Sequence, residues 1–99
     1  MTNDELVSLK LSIQRALLDE VTNRLVSVTC GLSQTNIKIK AYVTGDVTEE
    51  DIERIQSVGA EVIADFPEGY IIEEFCLSID KHDQEMLDFW AFRRASKSH

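Results

Sequence analysis

The sequence predicts an α+β fold in the order αββαββ: a four-stranded, mainly antiparallel sheet with two helices packed on one face. Three observations predict it. Apolar residues recur at helical spacing in two stretches. They alternate with small or polar residues in three others, and the run Phe89 to Arg94 reads as a fourth strand. A polar break of hairpin length, Ser33 to Asn36, separates the first two alternating stretches. Each amphipathic helix must cover an apolar sheet face, which puts both on one side. The 99 residues make one domain, 1–99, large enough for one core, with 95–99 expected as a frayed tail.

The first helix is expected over residues 4–19, where Leu6, Leu9, Ile13, Ala16, Leu17 and Leu18 form an apolar stripe. Asn3 or Asp4 is the expected N-cap, and Asp4 and Glu5 suit the positive helix end. A strand follows over 25–32, with Val26, Val28, Cys30 and Leu32 alternating with smaller or polar residues. Its hairpin partner, 37–43, sets Ile37, Ile39, Ala41 and Val43 on one face and Lys38, Lys40 and Tyr42 on the other.

The second helix is expected over 49–64. Thr48 accepts from the backbone N–H of Asp51, and three carboxylates sit in the first turn. Gly59 is its weak point, costing about 1 kcal/mol relative to Ala. Residues 60–66 therefore remain open between the end of this helix and a short strand, and Pro67 stops the run either way. The third strand, 70–79, carries Ile71, Phe75, Leu77 and Ile79 in alternation, and the last is expected over 89–94. Leu9, Ile13, Leu17, Val28, Ile39, Ile55, Val62 and Leu77 form the expected core.

Charge narrows the function classes. The chain carries 18 acidic and 10 basic residues, for a net charge of −8. Residues 46–88 alone carry a net −12, against +1 for residues 1–45 and +3 for residues 89–99. Phosphates would be repelled by such a chain, so direct nucleic-acid binding is not expected. A basic partner suits it, with steering that salt weakens. No apolar run approaches the ~20 residues of a membrane span, and the acidic, polar start is unlike a secretory signal. A cytoplasmic protein is the expectation. Cys30 and Cys76 read as reduced, core-packed thiols.

No catalytic, cofactor-binding or metal-binding constellation emerges. His82 and His99 are the two histidines, and neither has a ligand partner at metal-binding spacing. Neither a calcium-loop order nor a phosphate-loop or nucleophile-elbow motif occurs. Glu73 and Glu74 are adjacent on a strand and point to opposite faces, so they cannot act together on one substrate. Trp90 and Phe92 alternate with Phe89 and Ala91. If the helices cover the Phe89 side, Trp90 and Phe92 are left on the open face of the sheet as a contact surface.

The chain resembles small bacterial immunity proteins associated with polymorphic and contact-dependent growth-inhibition toxins. The matching stretches are Ala16-Leu-Leu-Asp-Glu-Val21, Leu25-Val-Ser-Val28 and Ile39-Lys-Ala-Tyr-Val-Thr-Gly45. They continue through Thr48-Glu-Glu-Asp51, Glu61-Val-Ile-Ala-Asp-Phe-Pro67 and Trp90-Ala-Phe-Arg-Arg94. The family often ends in Arg-Lys-Glu, where this chain runs Arg93-Arg94-Ala95. The resemblance implies a non-enzymatic protein that neutralises a cognate toxin, commonly a nuclease with a basic cleft. Stoichiometric occlusion by an acidic surface is the mechanism it suggests, with carboxylates taking the place of phosphates. The residues expected to carry it are Glu49, Glu50, Asp51 and Glu53, with Asp80, Asp83, Glu85 and Asp88, together with Trp90 and Phe92. The rival expectation is a small enzyme or ligand-binding domain with a pocket between helices and sheet.

Overall fold

A computed structural model describes residues 3–94. Its elements follow the predicted order: α1 (Asn3–Ala16), β1 (Leu25–Ser33), β2 (Asn36–Val43), α2 (Glu49–Ala64), β3 (Ile71–Ser78) and β4 (Phe89–Arg93). The expected frayed tail, 95–99, lies outside the described residues. α1 is already helical at Asn3 and Asp4, so neither is its N-cap. It ends at Ala16, three residues earlier than predicted. There the chain tightens: the Leu18 and Glu20 N–H groups donate to the carbonyls of Arg15 and Leu17, and Asp19 turns left-handed at φ 70°. Leu18 is thereby carried off the apolar stripe and left 70% exposed.

α2 begins in a full capping box. The Thr48 side chain accepts from the Asp51 N–H at 3.1 Å, and the Asp51 carboxylate accepts from the Thr48 N–H at 2.9 Å. The helix then runs unbroken through Gly59 to Ala64, which rules out a strand over 60–64. Asp65 caps its end and binds α1 through its carboxylate, which accepts from the Ser12 hydroxyl and the Arg15 guanidinium, each at 2.6 Å.

The sheet order is β3-β2-β1-β4. β1 and β2 form the predicted hairpin, turning through Gln34 and Thr35, with Gln34 at φ 55°. β4 pairs antiparallel with β1 on the other side. β2 and β3 are parallel, and α2 supplies the crossover that a parallel pair requires. The helix-facing side is the core: Val28, Cys30, Leu32, Ile37, Ile39, Ala41 and Val43 pack against Leu9, Ile13, Leu17, Ile55, Val58 and Val62. Ahead of Val28 a register shift between Leu25 and Ser27 makes Leu25 the core residue and leaves Val26 half-buried.

Leu77 departs from the expected core. Across the β2–β3 pair, Ile72, Glu74, Cys76 and Ser78 stand beside Ile37, Ile39, Ala41 and Val43 and so face the helices. The alternating apolar set of β3 is therefore on the far side, where Ile71 and Phe75 are exposed and Leu77 is half-buried. Alternation identified two faces correctly, but the more apolar one is not the covered one.

β4 holds a second correction. Val28 pairs with Phe92 while Thr29 pairs with Trp90, so Ala91 is an extra residue in the ladder. The bulge rotates Phe92 to the helix side, where it and Phe89 pack against the core. Trp90 stays on the open face, with the Arg93 guanidinium 4.7 Å from its ring centre. Cys30 on β1 and Cys76 on β3 are free and separated by β2. Burial pushes the Cys30 thiol up to about 12 and that of Cys76 up to about 11, so neither is primed as a nucleophile.

Because β3 and β4 lie at opposite edges, residues 79–88 must cross the sheet, and they do so over its open face. The Glu85 N–H donates to the Tyr42 hydroxyl at 3.0 Å, and the Ser27 hydroxyl donates to the Gln84 side chain at 2.6 Å. The Thr29 hydroxyl accepts from the Leu87 N–H at 2.8 Å and donates to the Phe89 carbonyl at 2.7 Å. This strap explains why Ser27, Thr29 and Tyr42 are buried on a face without helices.

Candidate partner-binding surface

Parallel pairing places the start of α2 and the start of the strap at one end of the sheet. The Ile79 N–H donates to the Val43 carbonyl, and Lys81 Nζ lies 3.8 Å from Asp46. Four of the sequence-predicted carboxylates, Glu49, Glu50, Glu53 and Asp80, are exposed at this end. Glu49 and Glu53 stand one turn apart and make no ion pair among the described residues. Glu50 is partly neutralised by Arg54 at 3.2 Å, and Arg54 also reaches Glu20 at 3.0 Å.

Asp51 belongs to the fold instead of the surface. It is 6% exposed, closes the capping box and receives the Arg24 guanidinium at 2.9–3.1 Å. Hydrogen bonding from Arg24, seconded by Thr48, holds its carboxyl below the usual carboxylate range. Asp88 is exposed and also secures the strap, accepting from the Leu32 N–H at 2.8 Å. Asp83 and Glu85 are exposed on the strap, over the open face and apart from the α2 carboxylates.

The open face carries two concavities. One, about 520 Å³, is lined by Lys38, Lys40, Tyr42, Phe75, Leu77 and the strap residues Lys81 to Asp83 and Glu85. The other, about 390 Å³, lies between Gly31, Asn36, Leu87 and Asp88, and Lys38 lines it too. Sequence reasoning had put Lys38, Lys40 and Tyr42 on one face but gave them no role, because the acidic excess dominated the charge argument. The signal that marks them is the pairing of i and i+2 lysines with an apolar neighbouring strand.

Glu73 and Glu74 do point to opposite faces. Glu74 lies under α2 against Gly59, and desolvation raises its pKa above the usual carboxylate range. Neither Arg93 nor Arg94 reaches it, being on the opposite edge. Where α2 meets β3 the recess is about 240 Å³, smaller than either open-face concavity. Among the described residues no group of three or more His, Cys, Asp or Glu is placed to hold a metal ion. Among the described residues no helix is long and apolar enough to cross a membrane.

Residues 7–96 match the family described as MafI2 immunity protein. A search of curated proteins returns no match.

Proposed function

The chain belongs to the MafI2 immunity protein family, and from that premise we propose that it neutralises its cognate toxin by stoichiometric occlusion, acting as a binder and not as an enzyme. The observation that carries the proposal is the set of exposed carboxylates at the α2 end of the sheet, Glu49, Glu53 and Asp80, which form no ion pair among the described residues, with Glu50 beside them. They confront a partner with negative charge held at the start of α2 and at the adjoining start of the strap. A basic surface on the toxin is the complement, and a nuclease cleft, built to hold phosphates, is the form of it that carboxylates mimic best. Asp83 and Glu85 extend the acidic field along the strap. The action is cytoplasmic, where a nuclease toxin meets its substrate, in the setting of polymorphic or contact-dependent growth inhibition.

A pocket-based enzyme finds less support. The space between helices and sheet is filled by the apolar core, and the larger concavities open on the far face. The test is co-expression with the toxin encoded beside it. A 1:1 complex that survives purification, and cells protected from the toxin, support the proposal. Toxin that remains active and unbound in the presence of excess folded protein contradicts it.

A further inference from the structure

Lys38 and Lys40 stand out among the cations of this chain. Arg15, Arg24, Arg54 and Lys81 are ion-paired with carboxylates. Lys10 and Arg93 lie over aromatic rings, and Arg94 donates to the Thr22 carbonyl. Among the described residues, Lys38 and Lys40 have no carboxylate within ion-pair distance and no ring or hydrogen-bond partner. Acidic residues outnumber basic ones by 18 to 10, so partners for two lysines are not scarce. Glu73, beside Lys38 across the β2–β3 pair, is the nearest candidate by register, and it forms no ion pair with it.

These two amines are also held in a particular setting. They project two residues apart from a central strand of the sheet, and Lys38 borders both open-face concavities. Phe75 pairs with Lys40 and is 36% exposed, and Leu77 continues the apolar floor beside it. Lys81 closes the far wall. Asp83 and Glu85 also line this concavity from the strap side, so an occupant must reach the β2 lysines and avoid the strap carboxylates.

We propose that this open-face concavity is a second contact with the toxin, taking an acidic segment whose carboxylates meet Lys38 and Lys40 and whose apolar side chain rests on Phe75 and Leu77. Charge complementarity selects that occupant. Another copy of this chain carries a net −8 and would set like against like over most of its surface. A polyanionic nucleic acid would meet the strap carboxylates along its whole backbone. The interface is then polarised: carboxylates of α2 on a basic part of the toxin, and lysines of β2 on an acidic part. Such reversal of sign across one interface fixes the docking orientation and rejects non-cognate toxins that match only one half. The inference rests on the toxin-binding reading but not on the acidic end of α2.

The test treats the purified complex with a zero-length carbodiimide, which joins amines to carboxylates in direct contact, and maps the links by mass spectrometry. Amide links from Lys38 or Lys40 to Asp or Glu of the toxin are expected. The Lys38→Glu/Lys40→Glu variant, with its fold verified by circular dichroism and thermal melting, should bind the toxin at least about tenfold more weakly. Lys38→Ala/Lys40→Ala should weaken it less. A complex that forms with unchanged affinity in the reversal variant, and links neither lysine to the toxin, overturns the proposal while leaving the toxin-binding reading intact. Failure of the wild-type protein to form any complex overturns both. Lysine-dependent retention of RNA or DNA by the free protein assigns the face to nucleic acid and overturns this proposal alone.

Discussion

The Glu74 carboxylate of β3 occupies the space that a Cβ on Gly59 of α2 would require. The helix–strand seam is close enough there that residue 59 has no room for a side chain while Glu74 keeps its position. Gly59→Ala should gain about 1 kcal/mol of helix propensity and lose more than that by displacing the whole outer half of Glu74. A net destabilisation of about 1 kcal/mol is expected. In a Glu74→Ala background the same change should stabilise by about 1 kcal/mol, since the obstacle is gone. Urea denaturation of the four proteins of this cycle measures the coupling, and additive effects would show that the two residues do not compete for space.

The Asp51–Arg24 pair gives a stability signature in acid. The folded-state pKa of Asp51 lies below its unfolded value, chiefly through Arg24 and then Thr48. Its contribution is therefore fully present above the unfolded carboxylate value of about 3.9 and is lost as pH falls through the folded value. Asp51→Asn should cost about 2 kcal/mol near neutral pH, through the cap and the ion pair together. The gap between wild type and variant should narrow as the medium is acidified below about pH 4. Thermal melts across that range check it; a gap independent of pH would remove the pair from the account.

Thr29 tests the strap. Its hydroxyl both accepts from the Leu87 N–H and donates to the Phe89 carbonyl. Thr29→Val keeps the shape and removes both bonds, leaving two backbone groups without their partner. A loss of about 1–3 kcal/mol is expected. Amide hydrogen exchange at residues 84–88 should accelerate more than exchange in β1 or β2. Uniform acceleration across the sheet would indicate global destabilisation instead of a released strap.

Burial separates two leucines that the sequence patterns, helical spacing for one and strand alternation for the other, both assigned to the core. Leu17 is 5% exposed within the core, and Leu17→Ala should cost about 2–5 kcal/mol. Leu77 is half-buried on the open face, and Leu77→Ala should cost at most about 1.5 kcal/mol. Comparable losses at the two positions would contradict the assignment of faces.

Local chemistry was legible where it is carried by neighbours in the chain. Thr48 and Asp51 announced the start of α2, and the β1–β2 hairpin followed from two alternating runs across a short polar break. Features set by distant partners were not legible. Nothing near Leu77 reports that β3 would pair parallel to β2 and turn its apolar residues outward. The bulge that reverses Phe92 exists only in the ladder with β1. The structural roles of Asp51, which is buried, and of Asp88, which stays exposed, were not legible because the groups they satisfy, Arg24 and the Leu32 N–H, lie 27 and 56 residues away. Gly59 read as a defect until Glu74 was brought against it.

Association kinetics with the purified toxin test the central claim most directly, measured from about 50 mM to about 500 mM salt. Wild-type protein is compared with the variant Glu49→Lys/Glu53→Lys/Asp80→Lys, which spares Glu50 because it pairs with Arg54. Cations near the positive end of α2 carry a small folding cost, so the variant's melting temperature is recorded alongside. The account predicts a wild-type on-rate that falls at least about tenfold over this range. It predicts a variant that folds, associates slowly even at low salt, shows a flatter salt dependence and fails to protect against the toxin. An on-rate and affinity indifferent both to salt and to the triple reversal would contradict it.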